Sequence, residues 1–99
     1  MSGQDKHPIE CQDSLDISMV TDFSIELNKA LEIGQPVEIQ AAKVERADTA
    51  ALQLLCAFFL DARAAGITVE WQGPSDALKS AALQLGLAEH IGLDEASLH

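Results

Sequence analysis

Glu45-Arg46-Ala47-Asp48-Thr49-Ala50-Ala51-Leu52-Gln53-Leu54-Leu55-Cys56 is the stretch whose reading decides the fold of this chain. A strand ends just before it and a long helix begins inside it. Asp48 and Thr49 stand where an N-cap is wanted, because their side-chain oxygens can accept from the unpaired N–H groups of a first helical turn. From Ala50 to Leu60 the one polar residue is Gln53, which makes this helix the most apolar stretch of the protein. On a helical wheel, Ala51, Leu52, Leu55, Phe58, Phe59 and Ala62 gather on one broad arc. Cys56 and Leu60 fall on the other side, together with Thr49 and Gln53. A helix resting on a sheet needs only one apolar stripe. The second strip runs away from a hydroxyl residue at the positive end of a helix dipole, and it points to a docking surface beside a modifiable cap.

Downstream, the helix is expected to run to about Ala65 and to end at Gly66, a residue suited to the left-handed C′ position. Ile67 to Trp71 follows as a strand, with Ile67, Val69 and Trp71 alternating against Thr68 and Glu70. Gly73-Pro74 makes a turn and Ser75 caps a third helix. Leu78, Ala81, Ala82 and Leu85 share one face of it, and Gly86 closes it. Leu87 to Leu93 adds a last helical turn, and residues 94–99 read as a tail.

Upstream, Pro36 restarts the chain for a strand over Val37 to Ala41, with Val37, Ile39 and Ala41 on one face. The helix before it is capped by Ser18 or Thr21, lined by Val20, Phe23, Leu27, Ala30 and Leu31, and stopped by Gly34. Pro8 to Gln12 and Leu15 to Met19 read as two short strands joined across Asp13-Ser14, with Asp16 pointing outward. Met1 to His7 carries no pattern and is expected to be disordered, which leaves a single domain over residues 8–93.

This order predicts an α/β protein with right-handed crossovers and a mixed, mostly parallel sheet of four to five strands. Its helices are expected mainly on one face. The loops at Met19, Ala47-Asp48-Thr49 and Gln72-Gly73-Pro74 then leave strand carboxyl ends at one edge, where open α/β sheets carry binding sites. Thr49 stands in the middle of that edge.

Composition narrows the function. Sixteen acids against six bases give 99 residues a net charge of −10, so nucleic-acid phosphate and an anionic bilayer repel the surface. Cys11 and Cys56 are too far apart for a metal motif, and they read as reduced thiols of a cytoplasmic protein. The N-terminus has no apolar signal region and no run is long enough to span a bilayer, so any service to a membrane system goes through a partner. His7, His90 and His99 lie towards the ends, far in sequence from Thr49, and no glycine loop cradles a phosphate. We therefore expect no catalytic residues, no metal and no cofactor.

At this point the chain resembles a STAS domain, the fold of anti-sigma-factor antagonists, over about Ile9 to Leu93. The resemblance is carried by Val44, by Asp48-Thr49-Ala50-Ala51-Leu52 and Leu54-Leu55, and by Ala64-Ala65-Gly66-Ile67 leading into a strand. Pro74-Ser75 before a helix ending at Leu85-Gly86-Leu87 completes it. The family pattern at the switch is Asp, Ser or Thr, any residue, Gly, Leu. Asp48, Thr49 and Leu52 match it, and Ala51 replaces the glycine.

The resemblance implies a non-enzymatic interaction module, with Thr49 the phosphoacceptor of a GHKL-type serine kinase that doubles as an anti-sigma factor. The Asp-Thr pair and the tryptophan-bearing strand are similar to the small bacterial STAS subunits that bind the ATPase of an outer-membrane phospholipid transporter. Companions of bacterial chemotaxis proteins are also of this kind. Asp48, Thr49, Gln53, Cys56 and Leu60 are the partner-binding candidates under either version, and an exposed Cys56/Leu60 strip is equally compatible with a homodimer. A small-molecule sensor using the strand-end edge is a third reading, without special support in the sequence.

Overall fold

The computed structural model describes residues 6–93. In chain order it contains β1 (His7–Glu10), β2 (Ser14–Leu15), a 3-10 turn (Ile17–Met19), α1 (Val20–Ile33) and β3 (Val37–Gln40). β4 (Arg46–Ala47), α2 (Thr49–Ala64), β5 (Val69–Gln72), α3 (Asp76–Gln84) and a second 3-10 turn (Ala88–Ile91) follow. Of the ends expected to lack structure, residues 1–5 and 94–99 lie outside this range, and His7 already belongs to β1.

β3 is the axis. It pairs in parallel with β1 on one side and β5 on the other, in a register that aligns Ile9, Ile39 and Trp71. Strand alternation turns that row inward with Val37, so Ile9, Val37 and Ile39 are almost wholly buried. The opposite row of Pro8, Glu38 and Glu70 stays polar and at least partly exposed. Lys6 crosses it, with Nζ 2.8 Å from Glu70 Oε1 and 4.0 Å from Glu38 Oε2. The helices cover the inner face, as the element order implies. Phe23, Leu27 and Ala30 of α1, Ala51, Leu52, Leu55 and Phe58 of α2, and Leu78 and Ala82 of α3 join one core with Ile39.

The strands among the described residues number five, but they do not form one sheet. β2 and β4 make a separate parallel pair of two residues each, Ser14 against Arg46 and Leu15 against Ala47. All pairings among the described residues are parallel. The strand expected over Leu15 to Met19 stops at Leu15 because Asp16 turns back on its neighbours. Its carboxylate accepts from Ser14 Oγ (2.9 Å), from the Ser18 backbone N–H (3.0 Å) and from Ser18 Oγ. A local turn closed by an aspartate competes with extended structure. Those bonds, Ser18's first and Ser14's next, hold the Asp16 carboxyl below its ordinary pKa.

Neither Ser18 nor Thr21 caps α1. The cap position is Met19, without a side-chain bond, because the 3-10 turn feeds directly into the helix and Ser18 is engaged with Asp16. Gly34 stops α1 in the left-handed region (φ +77°), as expected. β5 begins two residues later than the alternation suggests. Leu85, expected on the buried face of α3, is 43% exposed, because the helix ends at Gln84 and the cap residue turns outward.

Cys11 extends the β1–β3 ladder by donating its N–H to the Gln40 carbonyl at 2.8 Å, and its thiol is buried. Burial, helped by the Glu26 carboxylate, pushes that thiol up to about 12. The folded protein therefore keeps a proton that the unfolded chain releases near pH 9. Stability from this group is complete below that pH and is lost as pH rises towards 12. Urea unfolding at pH 8, 9.5 and 10.5 is expected to show a steeper alkaline decline for the wild type than for Cys11→Ala. Parallel declines would assign the loss to other groups.

Candidate functional site

The entrance to α2 is pinned by the small β2–β4 pair. The Glu45 N–H donates to the Asp13 carbonyl at 2.7 Å and the Asp48 N–H to the Leu15 carbonyl at 2.8 Å. Asp48 is extended (φ −84°, ψ 159°), and its own carbonyl accepts from the Leu52 N–H at 3.1 Å to start the helix. The cap residue is therefore Asp48, and Thr49 is the first helical residue. Both side chains are exposed, and the Asp48 carboxylate makes no capping bond. The capping role expected for these two side chains is not filled. In contrast, Ser75 Oγ caps α3 by accepting from the Leu78 N–H at 3.1 Å.

Along α2 the two arcs separate as the wheel predicts, except that Phe59, expected on the buried arc, is only half-buried. Ala51, Leu52, Leu55, Phe58 and Ala62 are buried. Thr49 and Gln53 are exposed, Cys56 is half-buried, and Leu60 is 64% exposed. Among the described residues, no loop covers Leu60.

Tertiary structure adds two walls beside this strip. The end of α3, with Ala81, Gln84 and Leu85, faces Thr49 and Ala50 across a hollow of about 530 Å³. Farther along, Leu87, Glu89 and His90 face Cys56, Ala57 and Leu60 across a groove of about 600 Å³. Sequence reasoning missed Leu85 and Leu87 as site residues. The one hint was their position either side of Gly86, where a helix stop turns apolar side chains outward.

The strand-end edge is arranged differently from the expectation. The carboxyl ends of β1, β3 and β5 surround a separate hollow of about 330 Å³, lined by Glu10, Cys11, Gln40, Ala42, Lys43 and Gln72. Thr49 does not border it, because β4 belongs to the minor pair rather than to the main sheet.

The chemistry around Thr49 is sparse. Among the described residues, Asp48 is the one titratable group lining its hollow. Cys56 lies in the neighbouring groove, and partial burial raises its pKa, which keeps the thiol protonated and a weak nucleophile. Among the described residues, no three His, Cys, Asp or Glu side chains group closely enough to hold a metal ion.

The groove's outer wall is fastened to the sheet. Trp71 Nε1 donates to the Ile91 carbonyl at 2.6 Å, and the indole stacks on Phe59 with centroids 5.8 Å apart and planes 18° apart. Phe59 meets Phe58 edge-on at 6.0 Å. Trp71 thus acts as edge-strand packing that also ties down the turn carrying His90.

A parallel sheet covered on one side, with an exposed hydroxyl opening the second crossover helix, defines a class of small α/β interaction domains. The chain matches the family described as "Mlab, STAS domain" over residues 3–95, and it belongs to the STAS domain family. No curated protein matches it. STAS domains are in general non-enzymatic regulatory or accessory modules that mediate protein–protein interaction. Among the described residues, no helix is long and apolar enough to cross a membrane.

Two measurements check this geometry. Ser75→Ala is expected to cost about 1 kcal/mol in urea unfolding, whereas Asp48→Ala costs less because no capping bond is lost. Equal losses would mean that Asp48 caps α2 in solution. Trp71→Phe keeps a ring against Phe59 but strips the Ile91 carbonyl of its donor. It is expected to cost about 1–3 kcal/mol and to speed amide exchange over residues 88–93. Unchanged exchange there would remove the tether.

Proposed function

We propose that this chain is a regulatory binding module of the anti-sigma-factor-antagonist type. Its partner docks on the start of α2 and along Asp48, Thr49, Gln53, Cys56 and Leu60, and phosphorylation of Thr49 switches the contact. The observation that carries this reading is the pairing of an exposed hydroxyl at the first residue of α2 with a 64%-exposed leucine three turns along the same strip. The partner is a GHKL-type serine kinase acting as an anti-sigma factor.

The physics of the switch is one-sided. A phosphate on Thr49 would meet the first-turn N–H groups of α2, which no side chain caps, and the helix dipole favours the anion by roughly 0.3–1 kcal/mol. The Asp48 carboxylate beside it offsets part of that gain. The fold therefore tolerates the phosphate. A partner packed over Thr49 would have to desolvate about two negative charges, and the interface does not tolerate that.

A second reading shares the surface without the modification: a constitutive accessory subunit of a phospholipid-transporter ATPase or of a chemotaxis complex. Ala51 in place of the switch glycine and the family description support it.

Incubation with a GHKL-type serine kinase and ATP is expected to label the wild type and not Thr49→Ala. Equal labelling of the variant would move the modification elsewhere, and absence of labelling favours the constitutive reading. In either case Thr49→Glu and Leu60→Asp are each expected to weaken the complex at least tenfold, with the melting temperature little changed. A complex indifferent to both would remove this surface.

A further inference from the structure

We infer that the partner seats an amphipathic helix with lysine- or arginine-bearing flanks in the furrow between α2 and the α3 end. This inference deepens the proposed function and rests on its docking surface. Both hollows border the same helix: Thr49 and Ala50 line one, and Cys56, Ala57, Leu60 and Arg63 line the other. From Thr49 to Leu60 that helix rises about 17 Å, or three turns. Its outward positions, exposed Thr49, Gln53 and Leu60 and half-buried Cys56, are spaced four, three and four residues apart, the repeat by which one helix packs along another. Leu85 and Leu87 supply apolar contacts on the opposite wall, at opposite ends of the furrow.

Backbone chemistry selects the occupant's form. One wall is the helix α2. The other runs through the turn after α3, where the N–H groups of Leu85, Gly86 and Leu87 donate to the carbonyls of Ala81, Leu83 and Ala82, so neither wall offers a strand edge. An extended peptide laid there would find no strand edge to pair with, and its backbone groups would be desolvated without partners. A helix arrives with its backbone already satisfied.

Charge selects its flanks. The lining carries Asp48 at one end, and at the other Glu89, offset by Arg63, with His90 beside them; the net negative field comes mainly from the chain's charge of −10. A cationic helix is steered in by that field. A second copy of this chain brings ten further negative charges and is repelled.

The test is a display selection on the full chain from an unbiased library of 20-residue helical peptides. Enriched sequences are expected to show apolar residues at three-four spacing with lysine or arginine beside them. Their binding should weaken tenfold or more with Leu60→Asp and with Ala57→Asp, and should fall as NaCl rises from 50 to 300 mM. Chemical-shift changes should centre on Cys56, Leu60 and Leu87. Circular dichroism checks that both variants remain folded. Absence of enrichment, binders without the repeat, acidic flanks or equal affinity for both variants would overturn the inference. So would sedimentation showing that the wild type self-associates through Leu60. Thr49→Glu separates this inference from the switch. Peptides that need Leu60 yet bind Thr49→Glu as tightly would uphold the helix furrow and dismiss phosphate control.

Discussion

The burial of Ala51, Leu52, Leu55 and Phe58 in the core around Ile39 is the constraint on which the rest of the molecule depends. A three-stranded parallel sheet clad on one face needs only part of the circumference of each helix. α2 meets that demand with one arc and has apolar side chains left over. Leu60 is therefore exposed by the geometry of the layer, not by a gap in the packing. The β2–β4 pair adds a second restraint, because its hydrogen bonds to Asp13 and Leu15 hold the chain entering α2. Thr49 is consequently presented from a rigid element, the arrangement that lets a single modification act on a defined contact.

Fold and contact surface are divided between the two sides of one helix. The buried arc carries the hydrophobic free energy, and its residues are out of reach of a partner. The exposed strip contributes little to stability, so its residues are free to be chosen for binding. In the proposed switch, this separation would let a charge at Thr49 disturb an interface and spare the core. The far wall of the furrow belongs to neither side. It hangs on buried Ile91 and Leu93 and on the Trp71 bond, which couples the outermost strand to the surface where a partner would lie.

Signals that act within one or two turns are mostly legible in the sequence, with exceptions at Asp16 and Asp48. The Ser75 cap, the Gly34 stop and the buried arc of α2 were all legible, since each depends on residues within one or two turns. Asp16 was misread because a residue alternating between Leu15 and Ile17 looks the same in a strand and in an aspartate-closed turn. Only the hydroxyls of Ser14 and Ser18 distinguish the two. Asp48 was misread in a related way. A capping residue type sits at the cap position, but its carboxylate faces solvent.

The three helices, the strands of the main sheet, the one-sided largely parallel architecture and the second strip on α2 were determined by the sequence alone, because periodicity and turn chemistry act between near neighbours; β4 at Arg46–Ala47 was not expected from it. Only the tertiary structure decided that β2 and β4 stand apart from the main sheet. It likewise decided that Thr49 borders the end of α3 rather than the strand-end hollow, and that Leu85 and Leu87 complete a furrow. Those outcomes depend on which distant segments share a core, and no spacing along the chain encodes that distance.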